Sequence, residues 1–185
     1  MIQDAISETN ERMRGAIKSL DEDLAAIRTG RANPGLVEKL QVEYYGTLTP
    51  LKELASISVP EPRTLQIRPF DASTLKNVER AILASELGLT PNNDGHNLYL
   101  NLPPLTEERR RDLVKLVHRR LEEAKVAVRN VRRDIIRDLR EFEEEKLISE
   151  DEMARGEEEV QKVTDKFSEQ IDEIGRRKER EIMEV

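Results

Sequence analysis

A chain of 185 residues in which apolar and charged side chains each make up 37%, with no Trp and three each of Tyr and Phe, cannot fill a broad core and instead favours narrow seams between helices. The absence of cysteine excludes disulfides and thiolate metal sites. The net charge of −7 would argue against a polyanionic partner if it were spread evenly, but residues 107–140 hold twelve basic and seven acidic side chains, and residues 141–185 eight and seventeen. A partner feels the local field, within roughly 8–10 Å, and not the sum over the molecule.

The opening MIQDAISETNERM is acidic and has no long apolar run, unlike a leader peptide. No stretch approaches the roughly 20 apolar residues needed to cross a bilayer, so a cytoplasmic protein without membrane contact is expected. Residues 2–28 predict a helix, because Ile2, Ile6, Met13, Ile17, Leu20, Leu24 and Ile27 recur on one stripe. Gly30 is expected to end it, and Pro34 and Gly35 keep the following chain non-helical. Residues 35–105 change character. VEKLQVEYYGTLTP, SISVPEP and TLQIRPF are short β-branched and aromatic runs broken by Gly or Pro, and read as strands. Of the alternating pair Tyr44 and Tyr45, one is expected to face in and the other out. Ser73 as N-cap and Gly88 as stop predict a helix near 74–87, and TPNNDGHN then turns the chain into a last strand, LYLNLP.

The longest helix is expected over 106–147, with Thr106 as its cap and Glu107 and Glu108 at the positive end of its dipole. Leu113, Val117, Leu121, Ala124, Val128, Val131, Ile135, Leu139 and Phe142 form its apolar stripe. About 40 residues at 1.5 Å each span roughly 60 Å, so part of it must project from a small globule. After the short link LIS, Ser149 and Glu152 match a capping box and open a helix over 150–183, with Met153, Val160, Val163, Phe167, Ile171, Ile174 and Ile182 on its seam. So short a link makes the two helices antiparallel. None of the three stripes can be buried alone. The expected fold is therefore α+β: an elongated antiparallel three-helix bundle, from residues 1–29 and 106–185, with a small β/α/β domain, 30–105, inserted between its first and second helices. Two tethers rich in Gly and Pro join the parts, and a hinge is expected at Thr29, Gly30 and Arg31 and at Pro103, Pro104, Leu105 and Thr106.

The longest helix carries a polar stripe of its own. Arg111, Lys115, His118, Glu122, Lys125, Arg129 and Arg132 follow spacings of four and three along one face, and Arg119, Arg120, Arg133, Arg137 and Arg140 widen it. A guanidinium presents a planar fork that pairs bidentately with phosphate. Two readings compete: a nucleic-acid grip, or a face solvated or neutralised by acids of the third helix. With no aromatic side chain on this helix before Phe142, single-strand stacking is disfavoured, and the expected target is a folded RNA met through phosphate and sugar. Catalysis finds no constellation: His96 and His118 lack partners at ligand spacing, there is no Walker loop or GxSxG, and Glu143–Glu145 reads as a solvated helix end. No cofactor and no metal are expected. A general RNA-binding bundle and a scaffold pairing with another protein are the alternative functions.

Five segments, IRTGRANP (27–34), VEYYGTLTPL (42–51), ASELGLTPN (84–92), LPPLTEERR (102–110) and VAVRNVRRD (126–134), resemble in order the bacterial ribosome-recycling factor family, along essentially the whole chain. The resemblance implies an L-shaped molecule, two flexible linkers, and binding of the large ribosomal subunit after termination. It further implies action with elongation factor G and GTP to split the ribosome, as a monomer and without a nucleotide site of its own. The family's rRNA contacts fall on Arg28, Arg31, Arg110, Arg129 and Arg132, and the basic stripe adds Lys125 and Arg133. The stretch after Arg133 and the last helix match less specifically.

Overall fold

In the computed structural model, which describes residues 1–184, the elements are five α-helices and six strands: α1 (Ile2–Ala25), β1 (Gln41–Tyr44), β2 (Thr47–Pro50), α2 (Leu51–Leu54), β3 (Ala55–Glu61), β4 (Thr64–Pro69), α3 (Leu75–Ala84), β5 (Asn92–Asn93), β6 (Leu98–Asn101), α4 (Glu107–Glu144) and α5 (Glu150–Met183). They form two compact units. One joins Met1–Leu24 to Val114–Arg180; the other holds Ala25–Leu113 and the residues from Glu181 on.

The first unit is the helical bundle. Its core takes Met13, Ile17 and Leu20 from α1, Val117, Val128, Val131, Ile135 and Leu139 from α4, and Val160, Phe167, Ile171 and Ile174 from α5. These are stripe positions, so burial follows the apolar period of each helix. Pairing across the seam fixes the direction. His118 meets Glu179 and Arg140 meets Glu157, so α5 descends as α4 rises. Gly175 and Gly156 leave room for side chains of α4: a Cβ at Gly175 would fall 2.3 Å from Leu121 Cδ1, and one at Gly156 3.1 Å from Leu139 Cδ1. Thr9 and Thr164 are buried, and their hydroxyls donate to the carbonyls of Ala5 and Val160 one turn back.

The helix ends show where local chemistry outweighs period. Thr106 Oγ1 accepts the Arg109 N–H at 3.2 Å, which caps α4 as expected. Ser149 and Glu152 form the expected reciprocal box: the Ser149 N–H donates to Glu152 Oε2 at 2.8 Å, and the Glu152 N–H to Ser149 Oγ at 3.3 Å. The two donors from Ser149 hold the Glu152 carboxyl below the usual range. α4 ends at Glu144, short of 147, because Lys146 takes a left-handed φ of 57°. The Lys146 N–H then donates to Glu143 O and the Leu147 N–H to Phe142 O, a Schellman ending without glycine. α1 ends at Ala25, earlier than 28, and Gly30 is not its left-handed stop. The chain instead folds back so that Gly35 lies against Ala25, where a Cβ would be 2.8 Å from the alanine's own.

In the second unit an antiparallel sheet of order β3-β4-β6-β5 stands beside the hairpin β1-β2. Val42, Leu51, Leu65, Ile67, Val78, Ile82, Leu98 and Leu100 fill one core between these strands and α3. The β1-β2 turn is two residues, Tyr45 and Gly46, both with positive φ (47° and 81°), as a type I′ turn demands. Tyr44 packs on the core while Tyr45 is 80% exposed, which settles the alternation. The side-chain cap expected at Ser73 does not form, since α3 starts after Thr74 without one; Asp71 instead caps the short 3-10 turn Ala72–Thr74 that leads into it, its carboxylate accepting the Ser73 N–H at 2.9 Å and its hydroxyl at 2.7 Å. Both bonds lower the Asp71 pKa. α3 stops at Ala84, before Gly88, since Ser85 turns extended and its hydroxyl donates to Ile82 O.

Candidate nucleic-acid interface

Helical geometry divides the basic stripe of α4 into two rows. The buried residues Val117, Ala124, Val128 and Val131 point the helix at the core. The residues one step beyond Val117, Ala124 and Val131 sit on the flank of the seam, within reach of α5, whereas Arg129, one step beyond Val128, is exposed. His118 lies 2.5 Å from Glu179, Lys125 Nζ lies 2.7 Å from Asp172, and Arg132 Nε donates to Gln161 Oε1 at 2.7 Å. Of the two readings of this face, an open grip or one met by acids of the third helix, His118 and Lys125 follow the second, and Arg132 meets an amide of that helix. A second row points outward. Arg119, Arg129 and Arg133 are exposed, and among the described residues none has a carboxylate within ion-pair distance. Val126, 45% exposed, interrupts this row.

The flanking arginines show intermediate pairing. Arg111 reaches Glu107 only at 3.8 Å and is 75% exposed. Arg120 bonds Glu123 at 2.9 Å, which raises its pKa. Arg137 lies 3.8 Å from Asp134 and 3.4 Å from Asp138, and Arg140 3.1 Å from Glu157. Exposed pairs of this kind hold a side chain weakly, typically within about 1 kcal/mol. On the opposite flank Arg12 of α1 pairs with Asp134 at 2.7 Å and depresses its carboxyl.

The remaining candidate arginines lie in the second unit. Arg110 is buried, and its Nη1 donates to the carbonyls of Ile182 and Glu184, each at 2.5 Å. It therefore caps the C-terminal end of α5, where carbonyls lack helical partners. Arg28 is half-buried beyond α1 and donates through Nη2 to Pro103 O. Burial lowers its pKa, with nearby Arg109 adding to the effect. Arg31 is exposed; its backbone N–H donates to Thr29 Oγ1, and its side chain lines a cavity with Gly30, Pro104, Leu105 and Arg110. The expected hinge positions Thr29, Gly30, Arg31 and Pro103 to Thr106 all lie inside this unit, with Thr29 and Leu105 buried.

Periodicity found the row but not its partners. Gln161 and Asp165 of α5 extend the Arg132 contact, Gln161 Nε2 donating to Asp165 Oδ1 at 2.7 Å, while Glu157 separately accepts from Arg140. The signal for Gln161 is its place next to seam residue Val160, on the flank that an antiparallel α4 must face. Among the described residues no cluster of His, Cys, Asp or Glu could hold a metal, and no helix is long and apolar enough to cross a membrane.

Comparison with known proteins points one way. The family model described as Ribosome recycling factor matches residues 20–183. Ribosome-recycling factors of Chloroflexus aurantiacus and Roseiflexus sp. are 54% and 52% identical, each over 100% of both chains. Among solved structures, the solution structure of a ribosome recycling factor aligns with a TM-score of 0.76 at 43% identity, covering 100% of this chain and 98% of the other. The T. thermophilus factor, described with E. coli elongation factor G on the E. coli post-termination complex, aligns with a TM-score of 0.69 at 45% identity over 100% of both chains.

Proposed function

This chain belongs to the ribosome recycling factor family, and on that premise we propose that it binds the large ribosomal subunit after termination, through rRNA, and with elongation factor G and GTP splits the ribosome into subunits and frees the mRNA. The protein works by binding, as a monomer, and GTP hydrolysis belongs to the elongation factor. The relative from T. thermophilus, described beside elongation factor G on a post-termination complex, supports the choice of partners.

The observation that carries the rRNA contact is the outward row of α4. Among the described residues Arg129 and Arg133 have no carboxylate at ion-pair distance, and Arg132 beside them is held by an uncharged amide. Free guanidiniums one turn apart match the spacing of a sugar–phosphate surface and need no internal pair broken before binding. The inserted domain and its tethers, residues 29–31 and 103–106, transmit the push of the elongation factor to these contacts.

Replacing Arg132 with Ala tests the assignment. Affinity for the large subunit should fall by about tenfold, the loss of one charge-assisted contact, while the thermal melt stays nearly unchanged. Equal affinity of variant and wild type would refute the role.

A further inference from the structure

We propose that the cavity between α4 and α5 lined by Arg132, Arg133, Arg137 and Arg140 is a cradle for an RNA backbone phosphate, and that Gln161 is the residue that positions Arg132 in it. The proposal deepens the ribosome-binding reading and rests on it for the source of the phosphate. The cavity measures about 390 Å³, and its only other lining residues are Ile136 and Glu157. Four guanidiniums line it against one carboxylate; Arg140 pairs with that carboxylate and Arg137 lies near Asp134 and Asp138, so the cationic share of the wall falls mainly to Arg132 and Arg133.

The residues that α5 sets against α4 carry the argument. Where α5 meets His118, Lys125 and Arg140 it offers carboxylates, from Glu179, Asp172 and Glu157. Where it meets Arg132 it offers an amide. Gln161 Oε1 takes the Arg132 Nε–H at 2.7 Å, and Asp165, by accepting from Gln161 Nε2 at 2.7 Å, fixes which way the amide faces. Arg132 is thus oriented without being neutralised. Only its Nε is committed to Gln161, so the edge formed by the two terminal nitrogens remains for two phosphate oxygens. A carboxylate at position 161, nearly the same in shape, would supply the missing counter-charge and compete with the ligand. Arg133 completes the cradle without an ion pair among the described residues, Arg137 is 65% exposed with contacts of 3.4 and 3.8 Å, and Arg140 is pinned to the wall by Glu157.

The test is a titration of the full chain with inorganic pyrophosphate, followed through the arginine Nε–H resonances, beside a binding assay on the large subunit. Wild-type protein should show shifts at Arg132, Arg133 and Arg137. In an Asp165→Asn background, which removes the carboxylate that accepts from Gln161 Nε2, Gln161→Glu should weaken both pyrophosphate and subunit binding about tenfold relative to Asp165→Asn alone, yet melt at the same or a higher temperature, because the new carboxylate pairs with Arg132. A merely structural amide would give the reverse: a lower melt and unchanged affinity. The double variant Arg133→Gln with Arg137→Gln, confined to exposed side chains, should weaken pyrophosphate by a similar factor. Shifts confined to other arginines, or an Asp165→Asn, Gln161→Glu protein with the same affinity for pyrophosphate as Asp165→Asn, would overturn the cradle even while subunit binding stood. Weakened pyrophosphate with unchanged subunit binding would overturn the RNA assignment. A wild-type chain that fails to bind the subunit at all would sink the ribosome reading itself.

Discussion

Arg110 and Arg129 are both arginines of α4, yet burial gives them different work. Arg110 is 9% exposed and spends its Nη1 on two main-chain carbonyls at the end of α5. Arg129 is exposed, without an ion pair among the described residues. Replacing Arg110 with Ala leaves those carbonyls and the space around them unsatisfied. We expect a loss of about 1–3 kcal/mol, read from urea melts. If stability is unchanged while subunit affinity falls, Arg110 contacts RNA instead of capping the helix. The distinction was beyond the sequence, since the arginine triplet at 109–111 does not say which member turns inward. It takes the end of a helix more than seventy residues away to supply the acceptors. Arg129 and Arg133 were legible, because an outward position on a helix follows from the period alone.

At the scale of elements, α1, α4 and α5 were legible from their apolar stripes, and both expected caps of the long helices formed, at Thr106 and at Ser149 with Glu152. What the sequence hid was tertiary or strained. α1 stops early where Gly35 closes on Ala25, a contact that no local pattern announces. Lys146 holds a left-handed φ that a glycine would take without cost. Lys146→Gly should therefore stabilise the protein by about 1 kcal/mol, measured by thermal or urea unfolding; a loss of stability would mean that the side chain contributes more than its backbone strain costs. The charge pattern was half legible: acids on α5 were expected to compete for the basic face, and they do so at His118, Lys125 and Arg140 but not at Arg132.

For the whole molecule, the α+β composition followed from the contrast between long amphipathic stretches and short β-branched runs, whereas motion at the tethers is a proposal. Replacing Gly30 with Pro stiffens one tether through the fixed φ of the ring. Subunit binding should survive and splitting by elongation factor G should slow; undiminished splitting would show that bending there is not required. The account as a whole rests on the outward row of α4 meeting phosphates. Large-subunit affinity measured across a salt series, for wild type and for Arg129→Ala with Arg133→Ala, reads this most directly. Each neutralised phosphate contributes about 0.7, as in single strands, to 0.9, as in a DNA duplex, to the slope of log affinity against log salt. The double variant should bind more weakly at low salt, with a slope shallower by about 1.4 to 1.8 and an unchanged melt. Parallel lines for the two proteins would contradict the account.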